Sequence, residues 1–246
     1  MIIMIKLYWY FWNDLYEFKE KTFMKICVVI ATYNENKEIG RLVKEIKRQN
    51  LDVLVIDDGS SDLTSEIAKE SGAIVLRNEK NEGKGASLRK GFHYALNNGF
   101  DAIITMDGDW QHSPEDIPFF LRLAKHSDAG VIVGNRMQKT KSMPVVRYLT
   151  NKVMSCFLSY MVRQKIPDTQ CGFRLIKNEV LKNMSFVASK YEIESEMLIK
   201  SSFLGFKIES VPIKTIYGRE KSQINPFMDT LRFIRLILRE LWITRY

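Results

Sequence analysis

From Lys25 onward the chain alternates short apolar runs with longer stretches of helical period, and this rhythm restricts the possible folds more than any other feature. Residues 26–31, 53–56, 74–77 and 102–106 are brief, apolar and mostly rich in β-branched side chains, as buried strands are. Residues 37–49, 63–71 and 86–97, which separate them, place apolar side chains at helical spacing. Strand and helix in strict alternation predict an α/β domain with a mostly parallel central sheet and flanking helices. In open sheets of that kind, ligands sit beyond the carboxyl ends of the strands. The polar clusters fall at those ends: residues 32–35 follow the first strand, 57–62 the second and 107–111 the fourth. Turn residues with no shared purpose would be scattered over both ends of the sheet.

Composition narrows the class. The 246 residues, 46% of them hydrophobic, suffice for one substantial core and exclude disordered and fibrous proteins. Cys27, Cys156 and Cys171 lie far apart with no C-x-x-C pair, which speaks against a zinc site or a disulfide framework and suits a reducing cytoplasm. An excess of 37 Lys and Arg over 29 Asp and Glu gives a net charge of +8, fitting an anionic partner. No run reaches the roughly 18 apolar residues of a spanning helix, so a peripheral place on a membrane is the most that the chain itself suggests. Three segments are expected: an extension over residues 1–23, a domain over 24–222 and a basic amphipathic helix over 223–246. The extension reads equally as an appendage, a membrane-adhering segment or a misassigned start.

Each cluster has a physical use. In Asp107-Gly108-Asp109, two carboxylates one residue apart at a strand end can hold a hard divalent ion, which can in turn neutralise a diphosphate; as an isolated triplet it is also an ordinary turn. In Asp57-Asp58-Gly59-Ser60-Ser61-Asp62, Ser61 and Asp62 suit helix capping, while Asp57 and Asp58 are left to face a base edge or a ribose. Gly83-Lys84-Gly85-Ala86 opens a helix in the manner of a phosphate cradle but lacks the spacing of a P-loop.

Taken in order, Ile30-Ala31-Thr32-Tyr33-Asn34-Glu35, the 57–62 cluster with its flanks, Asn81-Glu82-Gly83-Lys84-Gly85-Ala86 and Met106-Asp107-Gly108-Asp109-Trp110-Gln111-His112 resemble family 2 glycosyltransferases. Val133-Gly134-Asn135-Arg136, Asp168-Thr169-Gln170-Cys171-Gly172-Phe173-Arg174, Glu194-Ser195-Glu196-Met197-Leu198 and Val211-Pro212-Ile213 followed by Ser222 narrow the likeness to dolichyl-phosphate or polyprenyl-phosphate mannosyl- and glucosyltransferases. The resemblance, which runs from about Lys25 to Ser222, implies a nucleotide-sugar-binding fold of the GT-A type. It implies a donor such as GDP-mannose or UDP-glucose surrounded by Ala31, Tyr33, Glu35, Ile56, Asp58, Lys84, Asp107, Gly108 and Gln111. Mg²⁺ or Mn²⁺ would be held by Asp107 and Asp109, chiefly Asp109. Asp109, Arg136 and Arg174 would be catalytic, the two arginines facing the sugar phosphate and the acceptor phosphate, as guanidinium forks suit. Arg219, Lys221 and Ser222 would form a late phosphate loop, although Gln223 follows Ser222 where the mannosyl branch carries Lys.

The implied reaction is an inverting, metal-dependent hexosyl transfer to a lipid phosphate on the cytoplasmic face of a membrane. A phosphate acceptor is already anionic, so leaving-group stabilisation outweighs any need for a strong base. Many relatives continue into spanning helices, so this chain is expected to be peripheral or to use a separate membrane-anchoring subunit. Residues 144–163 read as helices that dip into a membrane surface or, equally, as core-packing helix. Leu231, Ile234, Leu238 and Leu241 recur at helical spacing beside Arg232, Arg235 and Arg239, a pattern suited to lipid headgroups. Two other classes would leave different marks. A polysaccharide-elongating transferase would carry a late Q-x-x-R-W-type helix, and a nucleic-acid module an aromatic-interleaved basic motif. The sequence has neither, and no nucleic-acid partner is expected.

Overall fold

The structure, a computed structural model, describes residues 24–138, 143–216 and 226–243. Its centre is a seven-stranded sheet in the order β3-β2-β1-β4-β6-β5-β7, formed by β1 (Ile26–Thr32), β2 (Asp52–Asp57), β3 (Ile74–Arg77), β4 (Ala102–Asp107), β5 (Val131–Asn135), β6 (Arg174–Lys177) and β7 (Ile208–Pro212). The first four strands are mutually parallel and β7 runs parallel to β5, whereas β6 is antiparallel to both its neighbours. The helices are α1 (Ile39–Lys47), α2 (Thr64–Glu70), α3 (Lys84–Asn97), α4 (Ile117–His126), α5 (Val145–Val162), α6 (Asn178–Lys182), α7 (Ile193–Phe203) and α8 (Pro226–Ile243).

The expected strands and helices all form, with ends shifted by a few residues. Every side chain from Cys27 to Ile30 is buried, as a strand covered on both faces requires. Register then decides what meets at the sheet's edge. Thr32 pairs with Asp57 and Ala31 with Asp107, so the ends of β1, β2 and β4 lie abreast. Because β6 runs the other way, its first residue, Arg174, pairs with Thr105 and Val133, and the loop before it reaches that same edge.

Helix α5 is amphipathic in reverse. Its inner face carries Asn151, Ser155 and Leu158, while Val145, Val146, Leu149, Val153, Phe157 and Tyr160 are exposed, Tyr160 by 84%. Ser155 and Ser159 explain the inversion. The Ser155 hydroxyl accepts from the Thr169 amide at 2.9 Å and that of Ser159 from the Ile166 amide at 2.9 Å, so the polar face is spent on holding the 166–169 loop. The core-packing reading of this helix therefore covers its inner face alone, through Leu158 and Val162, with Met161 packed against the core.

Helix α8 packs against α7 and meets α5 through Phe157 and Phe233. It also departs from the expected basic stripe. Arg239 turns inward to the fully buried Glu196 at 2.9 Å, Arg232 lines a cleft, and Leu231, Ile234 and Leu238 face outward. The physical reason is Glu196, a buried carboxylate that also accepts from the amides of Val187 and Ala188 and needs cationic partners to be tolerated. The side chain of Leu241 and all of residues 1–23 lie outside the described residues. Among the described residues, no helix is long and apolar enough to cross a membrane.

Candidate active site

A cleft of about 680 Å³ opens at the carboxyl edge of the sheet. Ala31, Tyr33, Glu35, Asp58, Lys84, Asp107, Gly108, Asp109, Gln111 and Arg136, ten of the residues expected at the site, all line it. They arrive there because parallel strands deliver successive loops to one side. Ile56 does not line it, since its side chain is fully buried within β2. Arg219, Lys221 and Ser222 fall outside the described residues.

At the floor of the cleft, the Lys84 ammonium sits 2.5 Å from an oxygen of Asp107 and 2.5 Å from one of Glu194. Burial would drive the lysine pKa down, but the two carboxylates outweigh it and hold the ammonium charged. Burial likewise opposes ionisation of Asp107, yet Lys84 keeps its carboxyl well below the usual range. Two glycines permit this packing. A Cβ on Gly172 would stand 2.9 Å from the charged atoms of Lys84, Asp107 and Glu194, and a Cβ on Gly85 would stand 2.7 Å from the backbone of residues 188 and 189. The glycines of the 83–85 motif thus serve close approach of α3 to the segment before α7.

The next motif residues form a turn of unusual shape. Trp110 has φ 60, the left-handed region that costs a non-glycine residue about 1 kcal/mol. Its ring lies over Arg41 at 4.2 Å, and the Gln111 amide donates to Asp109 at 3.0 Å, so Asp109 and Gln111 are held close together on the cleft wall. Asp107, Asp109 and Gln111 supply hard oxygen donors suited to Mg²⁺ or Mn²⁺. Among the described residues there is no group of three or more His, Cys, Asp and Glu placed to hold a metal. Two buried polar atoms beside the cleft, Thr32 Oγ1 and His112 Nδ1, make no hydrogen bond among the described residues, and a bound ligand or water is their natural complement.

Other expected residues are also bonded to the protein's own groups. The Asp58 carboxylate accepts from the amides of Glu82 at 2.9 Å and Gly83 at 2.7 Å and from the Asn78 side chain at 2.9 Å, so it lines the cleft while anchoring the loop before α3. Asp57, expected to be spared for ligand, is fully buried and accepts from the Ser60 amide at 2.9 Å and from the hydroxyls of Ser60 and Ser65. Arg174 is engaged more completely by the protein itself. Its side chain is 1% exposed and donates to the carbonyls of Cys171 at 2.8 Å, Glu194 at 2.5 Å and Thr169 at 2.9 Å, beneath the cleft and not on its wall. Being first in an antiparallel strand, it points its fork at the loop that precedes it. Arg136 does reach the wall, clamped to Asp168 by bonds of 2.7 and 2.9 Å.

Several lining residues are given no site role by the sequence, namely Thr32, His112, Lys190, Tyr191 and Glu194, and Arg147 and Arg232, expected only within membrane-facing helices, line the cleft as well. A lone arginine in the apolar run of α5 and an acid in the otherwise core-forming α7 were the available signals. His112 is buried between Asp107, at 3.8 Å, and Cys171, at 3.7 Å. Burial drives its imidazole down to about 4, against the pull of Asp107, with Arg136 and Lys84 adding to the effect. The unfolded chain therefore takes up a proton near pH 6.5 that the folded chain refuses until about pH 4. Stability should fall by about 3 kcal/mol as pH drops through that window. Denaturant melts of wild type and His112→Gln at intervals from pH 7 to 4 test this: the variant should lose most of the slope, and parallel curves would contradict it.

Residues 27–185 match the family model for glycosyl transferase family 2. Over 215 residues the chain is 31% identical to the UDP-N-acetylglucosamine–dolichyl-phosphate N-acetylglucosaminyltransferase of Methanococcus voltae, covering 78% of this chain and 86% of that one. It is 29% identical over 212 residues to the undecaprenyl-phosphate mannosyltransferase of Micrococcus luteus, covering 80% and 85%. The crystal structure of Mycobacterium tuberculosis glucosyl-3-phosphoglycerate synthase in complex with Mn²⁺, uridine diphosphate and phosphoglyceric acid superposes with a TM-score of 0.71 at 19% identity, over 89% of this chain and 79% of that one. That likeness is one of fold, and the mixed seven-stranded sheet is of the GT-A type.

Proposed function

Because the chain belongs to glycosyl transferase family 2, we propose that it moves a hexose, mannose or glucose, from a nucleoside-diphosphate sugar to a polyprenyl or dolichyl phosphate at a membrane surface. The observation that carries this reading is the mixed lining of one cleft, which holds Tyr33, Glu35, Asp107, Asp109 and Gln111 together with Arg136, Arg147 and Arg232. Arginines suit phosphate oxygens, and two of these three stand on the helices that expose apolar stripes, α5 and α8. Relatives named for transfer to dolichyl and undecaprenyl phosphate support the acceptor class.

Chemically, an acceptor phosphate oxygen bonds to the anomeric carbon as the bond from that carbon to the diphosphate oxygen breaks, inverting the centre. The departing nucleoside diphosphate takes the electron pair. Mg²⁺ or Mn²⁺ held by Asp107 and Asp109, with Gln111 beside them, would offset the charge that gathers on it. Arg136, half neutralised by Asp168, keeps its other N–H donors for phosphate oxygens. Tyr33 and Glu35 would face the nucleoside. No residue need act as a strong base, since the attacking oxygen is already anionic.

Purified protein with Mg²⁺ or Mn²⁺, offered GDP-mannose, UDP-glucose and UDP-N-acetylglucosamine, should glycosylate a short polyprenyl phosphate and leave the matching polyprenol untouched. Equal transfer to the alcohol would sink the acceptor assignment. The membrane part has its own test. Val146 and Val153 are exposed by 77% and 68%, so Val146→Glu with Val153→Glu should leave the melting temperature unchanged. Each valine inserted in lipid contributes about 1.5 kcal/mol or more, so partitioning to anionic vesicles should drop more than tenfold. Unchanged flotation with vesicles would refute a docking role for α5.

A further inference from the structure

The cluster at the cleft floor carries a consequence for the order in which ligands bind, and it rests on the reading of the cleft as a nucleotide-sugar site. One ammonium, Lys84, is shared by two carboxylates, Asp107 and Glu194, at 2.5 Å each. The lysine side chain is only 16% exposed, and its backbone is pinned at the first turn of α3, where Gly85 abuts residues 188–190. Gly172 borders the cluster from another side, where a Cβ would stand 2.9 Å from a charged atom of each of the three groups. A divalent ion and the Lys84 ammonium thus compete for the same carboxylate, and their like charges repel across a short distance in a partly buried site.

We infer that Lys84, tethered by Glu194, is an internal counter-ion that withholds Asp107 from a divalent cation until a nucleoside diphosphate binds. The diphosphate offers the ammonium a new anionic partner, and Glu194 keeps the lysine within reach of it while Asp107 is released toward the ion. Glu194 is accordingly a positioning residue. Metal and nucleotide then bind with positive coupling, of the 5- to 150-fold order usual for linked sites.

Mn²⁺ binding, followed by electron paramagnetic resonance of the free ion with no sugar donor or acceptor, tests this without reading activity. Wild type should bind Mn²⁺ about tenfold more tightly in the presence of UDP or GDP than alone. Lys84→Met should bind Mn²⁺ alone about tenfold more tightly than wild type does, with the coupling to nucleotide largely lost. Lys84→Met combined with Glu194→Gln removes one charge of each sign and keeps the cluster's net charge, so it guards against misfolding of the single variant and against a bulk charge effect. It too should bind Mn²⁺ alone more tightly. Glu194→Gln by itself leaves the ammonium wholly on Asp107 and should not strengthen Mn²⁺ binding. A double variant no tighter than wild type, with UDP or GDP still bound in the presence of Mn²⁺, would overturn the counter-ion role alone. Failure of wild type to bind either nucleotide at any Mn²⁺ concentration would overturn both this inference and the donor-site reading beneath it.

Discussion

Asp109→Ala is expected to cut kcat for hexosyl transfer by about 100- to 1000-fold, the scale seen when one electrostatic contact to a developing oxyanion is removed. Asp109 lines the cleft beside Asp107 and Gln111 on a turn whose left-handed Trp110 sets their mutual placement. The same substitution deletes the acceptor of the Gln111 amide at 3.0 Å, a contact worth about 1 kcal/mol of stability. A large fall in turnover with a nearly unchanged melt would mark a residue used for chemistry. Initial rates with a range of Mg²⁺ and Mn²⁺ concentrations are the measurement, and undiminished transfer at saturating metal would remove Asp109 from the ion site.

Arg174→Met should show the opposite pattern. Three buried carbonyls, of Thr169, Cys171 and Glu194, lose their donor at once, and a buried unsatisfied polar group costs about 1–3 kcal/mol. A loss of about 3–5 kcal/mol is expected, lowering the melting temperature by roughly 10 °C for a chain of this size. At 15 °C, where the variant should remain folded, kcat and KM should change far less than they do for Asp109→Ala. An unaltered melt with abolished turnover would return Arg174 to the reacting phosphates.

The contrast between these two residues shows where the sequence is legible. The strand ends announce themselves because apolar runs stop abruptly at Asp57 and Asp107, and parallel topology obliges such ends to share one edge. The ordered motifs therefore point to one cleft from the sequence alone. Arg174 and Asp57 carry the same residue types as true ligands, and nothing local says that their hydrogen-bonding capacity is consumed inside the protein. Glu194 is the converse. It lies in a helix whose neighbours Ile193, Met197 and Leu198 form core, so periodicity reads it as part of a buried helix, and only its meeting with Lys84, 110 residues earlier in the chain, gives it a role.

The helices at the mouth follow the same division. The sequence alone shows apolar stripes with interspersed arginines on α5 and α8, but which face turns outward depends on partners distant in the chain. Ser155 and Ser159 commit the polar face of α5 to the 166–169 loop, and Glu196 draws Arg239 inward. The exposed valines and leucines follow from those commitments.

What the sequence determined by itself was the alternation of strand and helix, hence a parallel sheet and a polar edge where Asp107, Asp109 and their partners would gather. That information is local, written in period and in the places where apolar runs end. The tertiary structure alone decided the direction of β6, the burial of Arg174 and the sharing of Lys84 between Asp107 and Glu194. Those depend on pairings between segments far apart in the chain, where burial sets whether a charge is spent on the protein or kept for a ligand.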